Sequence, residues 1–423
     1  MGGMDLINDV LAQGRGLTRD QRNAFLAAWL GWAMDAFDYF LLVFVITDLA
    51  KSFHSTVAAV SLATTLTLLM RPVGAYLFGI WADKVGRRIP LMVDVLLYSV
   101  IEFATGFSGN LTMLLALRCL YGIGMGGEWG LGASLALEKL PAEKRGLFSG
   151  ILQQGYPVGY MLAAVVFFLV YPHFGWRGMF FLGCIPALLV LLLRMSVGES
   201  EPWQRTSERM RVNRVSARQV FFSRPTLLRF FYLIALMTAF NFLSHGTQDL
   251  YPTFLKEQHA ASGDVAVVIA IIYNVGAILG GSLMGGLSQR FGRRRMIIIS
   301  ALCALPFVPL FSIAPTLFLL AVGAFLVQFF VQGAWGVVPA HLTELSPDEI
   351  RGFYPGVTYQ LGNALASLNL PLQALIAANT GGDYGLALLV VTIPVILAVV
   401  IVTALGREAK GIAFGGTETG ART

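Results

Sequence analysis

The chain has 423 residues, of which 56% are hydrophobic and only 13% charged. A soluble domain carries roughly 25% charged residues, so this composition excludes an ordinary soluble globule and indicates a membrane protein. The net charge of +6 follows from membrane topology, as set out next, and gives no reason to invoke nucleic acid.

The first 23 residues are polar and mixed in charge, without the apolar core of a cleavable signal, and read as a cytoplasmic tail. Twelve apolar stretches follow, starting near residues 24, 57, 89, 111, 147, 177, 229, 264, 296, 315, 353 and 384. A bilayer crossing needs about 20 such residues. The pattern predicts an all-α membrane protein of twelve transmembrane helices. The first six spans fill 24–195 and the last six 229–405. A cytoplasmic linker occupies 196–228, a tail 1–23 and a second tail 406–423. The linker is rich in Arg, Glu and Ser and reads as a solvated tether with some helical turns. With both termini on one side, that side collects all but five of the 30 Lys and Arg residues, including Arg407, Lys410 and Arg422 of the second tail. Lys51, Arg177 and Lys256 fall on the opposite side, and Arg71 and Arg118 inside spans. The positive-inside rule makes the basic side cytoplasmic, in a plasma (inner) membrane. Cys119, Cys184 and Cys303 sit in apolar segments and read as small core residues.

Span 1 carries Asp35 and Asp38, three residues apart on one helical face near mid-bilayer. Two neighbouring buried carboxyls are suited to holding a proton, or else to pairing with a buried arginine. Span 2 carries Arg71, about 12 Å inside the basic boundary. Its planar fork suits a carboxylate, either of an anionic substrate or of Asp35 or Asp38. Gly79, Asp83, Arg87 and Arg88 form the next loop, where an acid among bases can pair across an interface in one conformation only. In span 4, Arg118 is expected to pair with Glu102 or Glu128 and joins the gating set. Glu128 is a further candidate for proton coupling. Its glycine-rich neighbourhood is a packing surface and no dinucleotide fingerprint, since no strand precedes it. Span 5 offers Gln153, Gln154, Tyr156 and Tyr160 around Pro157.

Span 7 has the densest polar cluster. Asn241, His245, Gln248 and Asp249 fall at i, i+4, i+7 and i+8 on one helical face, with Ser244 and Thr247 among them. A titratable imidazole and a carboxylate there point to a path for protons and a polar solute, the alternative being a polar seam between packed helices. Span 10 carries Gln328, Gln332 and Trp335, and span 11 Gln360, Asn363 and Ser367. No histidine spacing resembles a metal site, and no Walker loop or nucleophile elbow occurs, so no metal, cofactor or enzymatic activity is expected.

The two halves repeat at one offset of 206 residues. Gly79-x-x-x-Asp83-Lys84-x-Gly86-Arg87-Arg88 is echoed by Gly285-x-x-x-Gln289-Arg290-x-Gly292-Arg293-Arg294. Glu138-x-x-Pro141 with Arg145-Gly146 is echoed by Glu344-x-x-Pro347 with Arg351-Gly352. Two homologous six-helix bundles are the simplest account. Asp35 then maps to Asn241 and Asp38 to Ser244. Gln289 stands where Asp83 has an acid, which argues against two equivalent charge latches.

The loop Gly79-x-x-x-Asp83-Lys84-x-Gly86-Arg87-Arg88 resembles the signature of the major facilitator superfamily, at that family's position between spans 2 and 3. The resemblance implies two bundles flanking a midplane cavity that opens alternately to each side. The run Asn241-x-x-Ser244-His245-x-Thr247-Gln248-Asp249-x-x-x-Thr253 is similar to the signature of the lactate/pyruvate:proton symporters, grouped with the sialate:proton symporters. Asp35-Ala-Phe-Asp38 is similar to the D-x-x-D of sialate and aromatic-acid proton symporters. The resemblance implies Asn241, His245 and Asp249 in binding and proton transfer, Gln360 and Asn363 in substrate recognition, and Arg71 as the family's span 2 arginine. The expected function is proton-coupled symport of a short monocarboxylate, lactate or pyruvate first. Arg71, Asn241, Gln360, Asn363, Tyr156 and Gln154 would bind substrate, and Asp35, Asp38, His245, Asp249 and Glu128 would serve proton coupling. Its partners would be a small organic anion, a proton and the lipid bilayer, in a monomer. Alternatives are a larger acid, such as sialate or an aromatic acid, and a transport-inactive nutrient sensor.

Overall fold

In the computed structural model, residue 10 and residues 13–415 are described; Arg422 and most of the first twelve residues lie outside the described residues. The described chain consists of helices and turns. Among the described residues, nine helices are long and apolar enough to cross a membrane. One of these, Arg145–Met195, is 51 residues long and is interrupted at Gly175, whose φ is 60°, so it makes passes 5 and 6. Pass 3, Arg88–Thr105, carries Asp94 and Glu102, and pass 4 is split into Leu111–Gly126 and Glu128–Lys139. With these two the twelve passes are complete. The others are Arg19–Ser52, Val57–Val85, Arg224–Glu257, Gly263–Phe291, Arg293–Ser312, Leu317–Leu345, Tyr354–Asn379 and Tyr384–Leu405. Large apolar side chains such as Leu77, Phe168 and Phe318 stay on the outer surface, as a lipid solvent requires.

Local chemistry explains where passes start and break. Passes 2, 4, 8, 10 and 12 begin at Thr56, Asn110, Ser262, Thr316 and Asp383, whose side chains accept a backbone N–H of the first turn. Breaks in passes 5, 7, 9, 10 and 11 are each followed within three residues by a proline: Pro157, Pro252, Pro306, Pro339 and Pro371. Proline removes one helical hydrogen bond and crowds the preceding turn.

The 206-residue repeat is visible in the contacts. Gly86 and Gly292, at φ 104° and 96°, make the tight turns after passes 2 and 8. Beside them Glu199 accepts the N–H groups of Arg87 and Arg88, and Glu408 those of Arg293 and Arg294. A carboxylate at a helix N-terminus is electrostatically favourable. Arg87 reaches Glu138 at 3.3 Å, and Arg293 reaches Glu344 at 2.9 Å.

The halves meet at the basic end. Asp83 accepts the N–H of Gly352 at 2.7 Å and of Phe353 at 3.1 Å. At the related position Gln289 accepts the N–H of Gly146 at 3.1 Å. The second latch therefore keeps the geometry of the first with a neutral acceptor and one backbone bond fewer. Gly130 lies so close to Gly356 that an added Cβ would stand 2.5 Å from its Cα, and one on Gly150 would stand 2.3 Å from the Gly281 carbonyl. Small residues permit this approach.

Two peripheral segments depart from the sequence expectation. The linker is docked: it forms Glu201–Asn213 and Ala217–Phe221, with Trp203 Nε1 donating to the Asp83 carbonyl and Arg209 pairing with Glu349. Its apolar residues Trp203, Met210 and Phe221 cover the basic end, which composition alone did not disclose. The second tail is strapped across the same end. Phe414 lies 3.5 Å from the Arg145 guanidinium carbon and 4.0 Å from that of Arg351, one from each half. A guanidinium over an aromatic face is attracted by the ring quadrupole.

Asp83→Ala should open the basic end. It strands two backbone donors and removes a charged acceptor, a loss of about 1.5–3 kcal/mol, or roughly ten- to a hundredfold in the balance between closed and open forms. Spin-label distances between basic loops of the two halves measure that balance, and an unchanged distribution would remove Asp83 from the latch.

Candidate functional site

Between the halves, near mid-pass, lies a cavity of about 40 Å³. A single water needs about 10–15 Å³, so there is room for about three waters or a comparably small polar solute. Trp32, Tyr39, Leu68, Arg71, Gln153 and Tyr156 line it from the first half. Asn241, Ser244, His245, Gln248, Gln332, Trp335, Tyr359 and Asn363 line it from the second. Toward the basic end it is floored by aromatics from both halves: Trp129 stacks on Tyr359 at 4.3 Å, and Trp32 meets Tyr359 edge-on at 6.4 Å.

Pass 2 places Arg71 in the wall. Its terminal nitrogen bonds Asp35 at 2.7 Å and contacts the Met125 sulfur at 3.4 Å. Of the two partners the sequence left open, an acid of span 1 therefore holds Arg71 in this conformation. The pair is buried, with Asp35 at 0% and Arg71 at 4% exposure. The second oxygen of Asp35 has no partner.

Pass 7 presents the opposite wall. His245 Nδ1 lies 3.0 Å from Asp249 Oδ2, and Nε2 lies 3.0 Å from Asn363 Oδ1. When Asp249 is ionised it only accepts, and Nδ1 then carries a proton. The second contact depends on charge. An imidazolium donates from Nε2 to the amide oxygen of Asn363, whereas neutral imidazole requires that amide to turn and donate. The protonation state of His245 thus sets which way a cavity-lining amide faces. Asn241 donates to the Met237 carbonyl of its own helix, and Gln332 donates to Ser244. Part of the cluster is a seam between helices: Gln328 donates to Thr247 and accepts from Gln248.

Asp35 and Asp249 reach the wall only through Arg71 and His245, and four further sequence candidates stand away from it. Gln360 is fully buried with both amide atoms unpartnered, and its neighbour Tyr359 takes the inward position one turn before Asn363. Gln154 donates to Gly150 and packs against Gly281. Asp38 is buried behind pass 1, and Glu128 binds Arg194 rather than Arg118. Arg118 pairs with Glu102 at 2.6 Å. Arg194, two residues before the linker, is a buried core residue at 3% exposure. Arg88 donates to the Met195 carbonyl, and Gly79 touches Phe353 of the other half. Trp32, Tyr39 and Tyr359 were not singled out from sequence. For Trp32 and Tyr39 the signal was their i−3 and i+4 spacing to Asp35. Among the described residues no group of three or more His, Cys, Asp or Glu side chains is placed to hold a metal ion.

A family profile described as Major Facilitator Superfamily matches residues 28–249 and 250–419. The chain belongs to the major facilitator superfamily. It is 28% identical over 397 residues to the sialic acid transporter NanX of Escherichia coli K12, covering 92% of this chain and 95% of that protein. It is 30% identical over 350 residues to a putative metabolite transport protein of Haemophilus influenzae, covering 81% and 86%. A carboxylic acid transporter protein homolog of Saccharomyces cerevisiae is 28% identical over 386 residues; the match takes in 86% of this chain and 62% of the yeast protein. The proton:xylose symporter XylE bound to 6-bromo-6-deoxy-D-glucose shares the fold, with a TM-score of 0.76 at 19% identity over 94% of this chain and 98% of that one. This superfamily member is a multi-pass membrane protein and a secondary transporter, not an enzyme.

Gly31, one turn before Asp35, leaves space for the Glu128–Arg194 pair: an added Cβ would stand 2.0 Å from Glu128 Oε1 and 2.4 Å from the Arg194 terminal nitrogen. Gly31→Ala should destabilise the protein by about 1–3 kcal/mol through overpacking. Thermal unfolding in detergent would register this as a lower midpoint, and a wild-type midpoint would mean the pair moves aside freely.

Proposed function

We propose that this transporter carries a short monocarboxylate, lactate or pyruvate first, together with a proton. The observation that carries the reading is one small cavity with Arg71 on one wall and His245, backed by Asp249, on the other. Arg71 offers the planar fork a carboxylate needs. Asn241 and Asn363 are the amides placed for a 2-hydroxy or 2-keto oxygen, with Tyr156 beside them. His245 and Asp249, with Asp35 or Asp38, take the coupling proton. Gln360 and Gln154 support the wall from behind. Relatives named for carboxylic acid, sialic acid, niacin and cis,cis-muconate transport are consistent with an organic acid substrate.

The Arg71–Asp35 pair supplies a reason for coupling. A substrate carboxylate must compete with Asp35 for Arg71, and leaving Asp35 ionised and unpaired in the protein interior costs several kcal/mol. Protonating Asp35 removes that cost. Anion and proton are therefore bound better together than singly.

We further propose that the basic end faces the cytoplasm of a plasma (inner) membrane, with both termini there. The chain would act as two six-helix units, 24–195 and 229–405, joined by the 196–228 linker and flanked by tails at 1–23 and 406–423. It would act as a monomer, since one chain encloses its own cavity. A second reading, an aromatic or unsaturated acid, is favoured by the rings of Trp32, Tyr156, Trp335 and Tyr359 around the site.

Purified protein in liposomes should accumulate labelled lactate when the outside is made acidic. One anion moving with one proton carries no net charge, so a membrane voltage at equal pH should drive nothing; voltage-driven uptake would rule out one-to-one coupling. Competition by niacin or muconate stronger than by pyruvate would shift the assignment to the second reading.

Arg71→Lys keeps the charge and loses the fork. Lactate affinity should fall by about tenfold or more, since a hydrogen bond to a charged group contributes about 1.5–3 kcal/mol. Unchanged affinity would take Arg71 out of the binding site.

A further inference from the structure

Apart from Glu138, Arg87 and Arg145 at the basic end, the first half buries five acids, Asp35, Asp38, Asp94, Glu102 and Glu128, against three arginines, Arg71, Arg118 and Arg194. Each arginine has taken one acid: Arg71 holds Asp35, Arg118 holds Glu102, and Arg194 holds Glu128. Asp38 and Asp94 remain. Both are 0% exposed, and neither oxygen of either carboxyl finds a hydrogen-bond donor among the described residues. An ionised carboxylate left so in low-dielectric surroundings is strongly disfavoured. Asp38 is already a candidate for proton coupling; Asp94 is not.

Asp94 lies on pass 3, six residues from Arg88, or about 9 Å along the helix from its basic end. Glu128, Arg194, Tyr98 and Asp35 face it from the neighbouring turns and passes. Gly127 brings Glu128 next to it: a Cβ added there would stand 3.0 Å from Asp94 Oδ1. Two neighbouring buried carboxyls hold one proton readily, because both cannot ionise side by side. The acids also form a series along the bundle. Asp35 and Asp38 lie one helical turn apart on pass 1, and Asp35 and Asp94 both interact electrostatically with Glu128. The series runs from Asp38, behind the cavity wall, toward the basic end.

We propose that Asp94 is a proton-holding site of the transport cycle: it carries a proton while the basic end is closed and passes it out at that end when the basic end opens. The proton bridges to Glu128 in the closed form. Opening separates Glu128 from Arg194, water reaches the pair, and Asp94 loses the proton to that water. It is recharged through Asp35 and Asp38. The inference rests on the proton-symport reading above, but its first half, a resident proton on Asp94, is measurable without transport.

Infrared spectra of the purified protein should contain a protonated-carboxyl C=O stretch at neutral pH, part of which disappears in Asp94→Asn. Asn fills the same volume, so the fold should survive. In liposomes Asp94→Asn should lose pH-driven lactate accumulation by about tenfold or more while lactate–lactate exchange at equal pH continues. Asp94→Glu, which restores a titratable group, should recover accumulation. A merely structural acid would give accumulation in Asp94→Asn equal to wild type, and that result overturns the proposal. So does an infrared carboxyl band identical in wild type and Asp94→Asn, a measurement that also serves should the variant insert poorly. If wild type fails to accumulate lactate with pH but the Asp94 band is present, the symport reading falls together with discharge during the cycle, and only the resident proton stands.

Discussion

A charge inside this protein survives only where an opposite charge or a set of donors meets it, and that requirement orders the interior. Arg71, Arg118 and Arg194 are each 4% exposed or less, and each ends on a carboxylate. Water cannot substitute at these depths, and removing one partner of a buried pair typically costs about 3–5 kcal/mol. The pairs therefore fix which faces of passes 1 to 4 and 6 turn inward. They also make the interior switchable: an ion pair at the cavity wall can be exchanged for another of equal charge, whereas an apolar contact has no such alternative state.

The two halves use the same scaffold and divide the chemistry unevenly. Around the basic loops the repeat is nearly complete, with Arg87–Glu138 matched by Arg293–Glu344 and the Glu199 cap matched by Glu408. Deeper in, the likeness ends. Where pass 1 has Asp35 and Asp38, pass 7 has Asn241 and Ser244, and the second half faces the cavity with amides, a hydroxyl, aromatics and His245. One half thus stores charge and the other offers neutral hydrogen bonds. The substitution of Gln289 for an acid fits this division. It keeps an acceptor for the Gly146 N–H while adding no charge near Glu344 and Arg293, which already satisfy each other.

Span number, the repeat and the inward face of pass 7 were all legible in the sequence, because each is a matter of periodicity or offset. What periodicity could not supply was phase and partner. Gln360 and Tyr359 are adjacent, about 100° apart around the helix, and a polar side chain is a natural guess for the inward one. The structure turns Tyr359 and Asn363 to the cavity and leaves Gln360 buried among neighbours. Arg194 shared a run with the linker arginines, so only its approach to Glu128 from another pass separates it from them. Trp32 is one aromatic in an apolar run, and lipid-facing and cavity-facing aromatics look alike until the bundle closes. Phe414 offered no signal, since an aromatic in a polar tail finds its two arginines only after the halves meet.

Arg71, always positive, and His245, positive when protonated, line the cavity, and each is already engaged by an acid of its own half. In the proposed cycle this makes the empty cavity electrically quiet, so that the protein does not hold an anion without a proton. An entering carboxylate draws Arg71 away from Asp35, and the freed Asp35 then needs a proton to remain buried. His245 reports a proton of its own by the direction in which Asn363 points. Binding on one wall and protonation on both are then parts of one exchange of partners. The aromatic floor of Trp32, Trp129 and Tyr359 lies directly beneath it, so the same rearrangement acts where the halves touch. A carrier built this way couples its two cargoes through competition for a single guanidinium, with no long-range signal needed between distant sites.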